Sequence, residues 1–419
     1  MPGNHNEGGV PVDASTVAST SAEFTGERSP LFRLVLKNSI LTLLTLGIYR
    51  FWAKTYVRRF FWSRTRVLGT PLEYTGTPGE LFLGFLIVVA VLVPFFGLYE
   101  GIGFLFGELP LEYAFWLDLV YVVAIGMLIQ AAIYRMWRYR LTRTTWRGIR
   151  LGLDGSTWTY VGLAIAYWGA NILCLGLLTP WVRLRLWRYR TRHSRFGQTF
   201  FSFDAPLKPL VVPWLVTYFF PIALITYAVW DNFGLLGEVI TQAASGQIEP
   251  GQETTISATP GAGFAFLSFI VISPLLFVWY RVREFRHFTN HTVLGETRLN
   301  SALRADIVMG VVFLAWCTLA VIFGVFFGFF ATFGAALLSA GNPEVIGTTG
   351  MVFGIIFALL LLIAPPLASI VFTRFALVEA FCKTLEIEGT SNLAIIVQSS
   401  APAPASGEGL ADAFDVGAI

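Results

Sequence analysis

"LGIYRFWAKTYVRRFFWSRTRVLGTPLEY", Leu46–Tyr74, follows an apolar run and interleaves arginine with Trp, Tyr and Phe before a short alternating stretch. Aromatic side chains settle at a membrane–water boundary, and arginine beside them meets lipid phosphate through planar, bidentate contacts. The stretch therefore reads as a helix emerging from a bilayer on its basic side. It also recurs. Arg64-Thr65-x-x-x-Gly69 returns as Arg143-Thr144-x-x-x-Gly148, Arg192-His193-x-x-x-Gly197 and Asn290-His291-x-x-x-Gly295, with a worn fifth copy ending at Gly389. Cationic, aromatic helices precede the later copies ("YRMWRYR", "WVRLRLWRYR", "YRVREFRHF"), and alternating stretches follow them ("IRLGL", "QTFFSF", "ETRLNS"). The glycine is expected to close each helix in a left-handed cap. The alternating stretches are expected to pair as a small sheet, which satisfies backbone groups that a lone strand leaves open.

Composition places the chain in the membrane class. Of 419 residues 55% are hydrophobic and only 13% charged, where a soluble domain carries about 25% charged residues. The 29 cationic residues are mostly arginine. Cys174, Cys317 and Cys382 lie far apart and form neither a disulfide framework nor a CxxC metal site.

A helix needs about 20 apolar residues to cross the hydrocarbon core. Six segments qualify: Glu80–Tyr99, Leu111–Tyr134, Pro209–Trp230, Ala262–Val282, Asp306–Leu338 and Gly350–Phe372. They form three pairs. The links inside the pairs (Glu100–Pro110, Asp231–Gly261, Ser339–Thr349) contain no Lys or Arg. By the positive-inside rule these links face outward, and the basic segments and both termini face the cytoplasm. The link at Asp231–Gly261 is long, polar and rich in Gly, which predicts mobility.

Two further apolar runs, Leu31–Trp52 and Thr157–Trp181, have cationic residues on both sides. A simple crossing would carry one basic cluster outward. They read as re-entrant or interfacial helix pairs that enter and leave on the cytoplasmic side, turning near Asn38, Gly47, Gly169, Asn171 or Gly176. The alternative is two ordinary crossings and eight spans. The predicted fold is thus an all-α polytopic membrane protein, six spans as three hairpins plus two re-entrant segments, with short cytoplasmic β-like stretches. A disordered leader (1–30) lacking signal-peptide character precedes a membrane domain (31–393), and a disordered tail (394–419) follows. Within the domain the Gly47–Trp52 step matches Gly176–Trp181, which divides it into duplicated units (31–156, 157–303) and an added hairpin (304–374).

"NSILTLLTLGIYRFWAKTYVRRFFWSRTRVLGTPLEYTGTPGELFLGF", Asn38–Phe85, resembles the opening segment of the YjgN-like bacterial inner-membrane proteins, a family of unknown function. "NHTVLGETRL" at Asn290 is similar to a later motif of that family, and the recurring belts extend the resemblance over Phe24 to about Ser391. It implies a multi-pass protein of the bacterial cytoplasmic membrane and carries over no catalytic residues.

Chemistry is sparse. His287 and His291 stand i, i+4, but Phe288, Thr289 and Asn290 between them supply no general base, so no metal site is expected. No phosphate-binding glycine loop or nucleophile elbow is present. The chain reads as a non-enzyme without cofactor. Its basic helices abut spans, so lipid phosphate rather than nucleic acid is the nearer anion. Arg58, Arg59, Arg64, Arg66, Arg138, Arg143, Arg185 and Arg192 are candidate anionic-lipid contacts. Asp118, Gln130 and Asn171 are a candidate intramembrane polar site. Two functions fit: a transporter or channel for a small solute or lipid, which the repeats and helix-breaking prolines favour, or a scaffold binding lipid or protein through its belts. Substrate, energy coupling and oligomeric state are not encoded legibly. Cysteines introduced at Gln247 and Asn342 should react with an impermeant reagent from outside intact cells, and one at Arg143 should not. The reverse pattern would invert the predicted orientation.

Overall fold

The structure, a computed structural model, describes residues 20–107, 110–233, 237, 259–340, 343–390, 393 and 395–399. Most of the long link at Asp231–Gly261, expected to be mobile, lies outside them, as do 1–19 and 400–419.

Eleven short strands organise the molecule. They are β1 (Thr20–Ser21), β2 (Glu23–Phe24), β3 (Thr65–Val67), β4 (Thr70–Tyr74), β5 (Thr144–Trp146), β6 (Ile149–Leu153), β7 (Ser194–Phe196), β8 (Thr199–Phe203), β9 (Thr292–Leu294), β10 (Thr297–Ser301) and β11 (Leu385–Glu388). They lie in the order β1-β11-β10-β9-β8-β7-β6-β5-β4-β3-β2. The two ends of that order are consecutive in the chain, separated by Ala22 alone. One extended stretch therefore pairs with β11 on one side (Ser21 opposite Glu386) and with β3 on the other (Phe24 opposite Thr65). The sheet closes into an antiparallel ring with no open edge. The all-α expectation is corrected accordingly: the alternating stretches are a complete sheet. The leader is corrected from Thr20 onward, because its extended backbone satisfies the two strands that would otherwise be edges. The tail is corrected at 395–399. Gln198 N–H donates to the Val397 carbonyl, and Arg150 N–H donates to Gln398 Oε1.

Two-residue turns join the strands at β3–β4, β5–β6, β7–β8 and β9–β10. Leu68 and Gly69, like Arg147 and Gly148, all have positive φ, the backbone of a type I′ turn, whose twist matches that of the flanking strands. In the other two turns only the leading residue, Gly197 or Gly295, is positive. The belt glycine is thus a hairpin residue and not a helix cap. The helices end four or five residues earlier, and the left-handed backbone is required where the chain reverses.

Between ring-neighbour strands the chain makes helix pairs: α1 (Arg28–Leu44) with α2 (Arg50–Arg64), α3 (Pro78–Phe106) with α4 (Leu111–Thr142), α5 (Thr157–Leu173) with α6 (Thr179–Arg192), and α7 (Lys208–Asp231) with α8 (Pro260–Asn290). The last pair is α9 (Ala305–Ala340) with α10 (Pro343–Pro366), which continues through a π-helical segment (Leu367–Arg374) into α11 (Phe375–Thr384). The structure therefore repeats five times as strand, helix pair, strand, where the sequence suggests two units and an added hairpin. Six helical runs are long and apolar enough to cross a membrane: α3, α4, α7, α8, α9 and the run from Thr348 to Thr384.

The two remaining pairs fold back instead of crossing. In α1–α2 the reversal is at Leu46-Gly47, and in α5–α6 at Leu175-Gly176, each with positive φ at both residues. Asn38 and Gly169 lie inside helices. The strands flanking α5–α6 are hydrogen-bonded to one another, Leu153 opposite Ser194, so both ends of the pair lie on the ring side. That geometry is incompatible with eight spans. The turns present bare apolar tips: Leu46 is 95% exposed and Leu173 86%.

The ring encloses an apolar core. Ala22, Trp146, Phe196, Leu294, Leu385 and Ile387 meet there, joined by Cys382 from α11. Above it each helix pair packs on the next. Phe51, Leu81 and Tyr139 join the first pair to the second, and Tyr134, Tyr160 and Leu186 join the second to the third. Leu184, Leu210 and Phe288 link third to fourth, and Val282, Leu303 and Val308 link fourth to fifth. Leu31, Phe61 and Val371 return from the fifth to the first. Away from the ring the helices separate, and at most 17% of any long run's apolar window is buried.

The closure can be tested by cross-linking. Ser21 and Glu386 are directly opposed, within disulfide reach, so Ser21→Cys with Glu386→Cys should oxidise to an intramolecular bond in membranes. Ser21→Cys with Glu73→Cys should not. Equal cross-linking of both pairs would contradict the strand order.

Candidate functional site

Where helices run into the ring, the same small device appears at each junction. The first strand residue carries a hydroxyl that donates back to the helix carbonyl four residues earlier: Thr65 to Phe61, Thr144 to Arg140, Ser194 to Arg190 and Thr292 to Phe288. Each satisfies a helix-end carbonyl that no intrahelical N–H reaches. This sets the true register of the repeats. Aligning on glycine shifts the last two copies by one residue, because glycine is second in the first two turns and first in the others. In structural register Arg64, Arg143, His193 and His291 are equivalent helix-terminal residues. Both histidines bond their own helix: His193 Nδ1 lies 2.7 Å from the Tyr189 carbonyl and His291 Nδ1 2.8 Å from that of His287. His287 Nε2 is 2.8 Å from the Pro206 carbonyl.

A second device lies two helical turns back. The arginine six residues before each first strand reaches across to the link that follows the same hairpin. Arg59 donates to the Gly76 carbonyl at 3.0 Å, Arg138 donates to the Gly155 carbonyl, and Arg188 pairs with Asp204 at 2.9 Å. Arg286 holds the fourth equivalent position.

The predicted lipid-contact arginines therefore divide. Arg58 is buried and donates to the Tyr74 hydroxyl at 3.1 Å. Arg143 forms a fork with Glu80 at 2.9 and 3.0 Å, and Glu80 also accepts from the Tyr139 hydroxyl. Arg64 lies over the Phe60 ring, its carbon 3.9 Å from the centroid. With Arg138 these brace helix ends against links and neighbouring rings. Arg59, Arg66, Arg185 and Arg192 are exposed and keep an outward charge available.

Sequence reasoning missed the strongest charge cluster. Glu284 on α8 is 2% exposed and pairs with Arg183 of α6 at 2.5 Å and Arg281 at 2.7 Å. Tyr280 adds a hydroxyl at 3.4 Å. Nearby, Arg190 is held over two indoles, 5.0 Å from Trp137 and 5.2 Å from Trp187. Burial lowers its pKa from the ordinary arginine value, since low polarity disfavours the charged form. One signal for this cluster was available: Glu284 is the lone carboxylate inside "YRVREFRHF".

The predicted intramembrane site is not assembled. Asp118 accepts from Tyr99 at 2.6 Å within its own helix pair. Asn171 donates to Thr179 Oγ1 at 3.2 Å and ties the α5–α6 turn, as Asn38 reaches the Ala53 carbonyl at 3.5 Å in α1–α2. Among the described residues no hydrogen bond joins Asp118, Gln130 and Asn171, and no three His, Cys, Asp or Glu gather as a metal-binding group.

Comparison with known proteins follows the same lines. The profile of a family described as "Bacterial protein of unknown function (DUF898)" matches residues 19–413. The inner membrane protein YjgN of Salmonella typhimurium is 37% identical over 91 residues, 20% of this chain and 23% of that protein. The match thus spans about a quarter of that relative's length. No solved structure matches.

Glu284→Gln leaves Arg183 and Arg281 facing each other without a counter-charge. Removing one partner of a buried pair costs about 3 kcal/mol, so the melting midpoint should fall clearly. Arg188→Gln breaks a pair whose Asp204 side chain is 85% exposed and should cost under about 1 kcal/mol. Thermal unfolding of the two variants in detergent tests the ranking, and equal shifts would refute it.

Proposed function

The chain belongs to the DUF898 family of bacterial proteins of unknown function, and on that premise we propose that it is a non-enzymatic scaffold of the bacterial inner membrane. Its six long helical runs cross the bilayer, and its strand ring and both termini face the cytoplasm. The exposed belt arginines hold anionic lipid, and the ring offers its outer surface to partners. The two short pairs enter the cytoplasmic leaflet with their apolar tips and leave on the same side.

One observation carries this reading: every helix pair is rooted in one closed ring whose interior is filled by Trp146, Phe196, Leu294 and Ile387. A filled ring is a joint and provides no conduit. Its position next to the basic helix ends, with the cation-free links at the far ends of the long pairs, supports placing it in the cytoplasm. The 37% identity to an inner membrane protein supports the location.

A second reading, transport, draws on a specific feature. Pro365 and Pro366 end α10, and the next eight residues are π-helical, with Thr373 Oγ1 donating to the Ala368 carbonyl at 3.2 Å. Such segments occur at functional sites and can serve as hinges.

Proteoliposomes separate the two. A scaffold leaves the vesicles tight to small solutes and enriches anionic lipid around the protein. Replacing Arg59, Arg66, Arg185 and Arg192 with Gln should abolish that enrichment, at about 1 kcal/mol per charge near an anionic surface. Protein-dependent solute flux with unchanged lipid enrichment would overturn the scaffold reading in favour of transport.

A further inference from the structure

Arg286 breaks the rule that its three equivalents obey. Arg59, Arg138 and Arg188 each reach the link after their own hairpin. The corresponding link after β10 contains Leu303, Arg304 and Ala305, and Arg286 makes no hydrogen bond or ion pair with it. Between them lies an open recess of about 440 Å³ lined by Trp279, Val282, Arg283, Arg286, Leu303, Arg304, Ala305, Asp306 and Met309.

Its chemistry is two-sided. Three guanidinium groups face one carboxylate there. Arg304 already holds Asp306 through a fork at 3.1 and 2.6 Å. Arg283 stacks over the Trp279 ring at 4.3 Å and, like Arg286, has no anionic partner among the described residues. The remaining wall is apolar, with Val282 and Leu303 buried in the contact between α8 and α9.

The height of the recess is also fixed. From Pro260 to Tyr280, α8 carries no charged residue, a length of about 30 Å at 1.5 Å per residue, which equals the hydrocarbon thickness. Arg281 and Arg283 follow at once. On α9, Asp306 is the last charge before an uncharged run to Ala340. The recess therefore lies where both helices pass from apolar to charged sequence, its arginines beside an apolar floor.

We propose that this recess binds a phosphate-bearing anion, held by Arg283 and Arg286 in place of the link contact that the other three copies make. The inference rests on the membrane reading above for the source of that anion, a phospholipid headgroup whose chain lies along Val282 and Met309. Free phosphate shares the recognising chemistry.

Two binding measurements separate the sources. In the first, the full chain in phosphatidylcholine nanodiscs is titrated with phosphatidylglycerol and bound lipid is counted by native mass spectrometry. In the second, detergent-solubilised protein is equilibrated with radiolabelled inorganic phosphate. Each single variant, Arg283→Gln or Arg286→Gln, should weaken phosphatidylglycerol about fivefold, and the double variant roughly thirtyfold. The Arg283→Lys/Arg286→Lys pair, which keeps both charges, should retain most binding, and this separates loss of charge from loss of fold. Phosphate binding that the Gln variants abolish, without lipid retention, would assign the recess to the free anion. Wild-type and double-variant protein that behave alike in both measurements would overturn the site. A chain that fails to enter nanodiscs would refute the membrane reading, while the phosphate measurement still decides the recess.

Discussion

A three-residue strand cannot stand alone. Thr65–Val67, Thr144–Trp146, Ser194–Phe196 and Thr292–Leu294 each form few ladder bonds, and a lone hairpin is marginal in water. What makes them stable is that no strand is last. The stretch Thr20–Phe24 divides its hydrogen bonds between β11 and β3, and its own side chains finish the core. Phe24 lies 6.0 Å from Phe61 and 5.2 Å from Phe375, so it joins ladder closure to packing between the first and fifth helix pairs. The positions of all ten main helices follow, because each pair begins and ends on neighbouring strands.

The helices divide along their length. Near the ring they are bound by aromatic packing and by arginine contacts that brace links: Arg143 to Glu80, Arg195 to Asp154 at 2.5 Å, Arg183 to Glu284. Farther out, the long runs lose contact and expose leucine, valine and phenylalanine. Such a surface would be untenable in water at this extent. Lipid removes the difficulty, since backbone groups are satisfied within each helix and the side chains need no polar solvent. Order in the molecule is thus concentrated at one end.

Much of this was legible. Apolar length located all six long runs, and the two segments flanked by cations on both sides proved to be the pairs that turn back at Leu46-Gly47 and Leu175-Gly176. The alternating stretches announced strands. Closure was not legible, since Thr20–Phe24 looks like any polar leader until β3 and β11 are known to need a partner. Glycine misled the alignment because a hairpin can place it first or second in a two-residue turn, and the hydroxyl residues Thr65, Thr144, Ser194 and Thr292 mark the register better. Arginine was read by its charge alone. Whether one faces lipid or braces a link depends on what lies six residues before a strand and two residues after the hairpin, a relation that only the folded ring makes visible.

The ring also has a parity. In a wholly antiparallel circle directions alternate, so only an even number of strands closes without one parallel neighbour. With Thr20–Phe24 counted once, the described residues supply ten, two for each helix pair. Circumference can then change only by a whole pair, and interior width changes with strand number. Dropping α1–α2 or α5–α6 would shrink the circle by two strands and squeeze the space that Trp146 and Phe196 fill. The two pairs too short to cross are therefore not vestiges of crossings: they are staves, kept because the hoop needs their width.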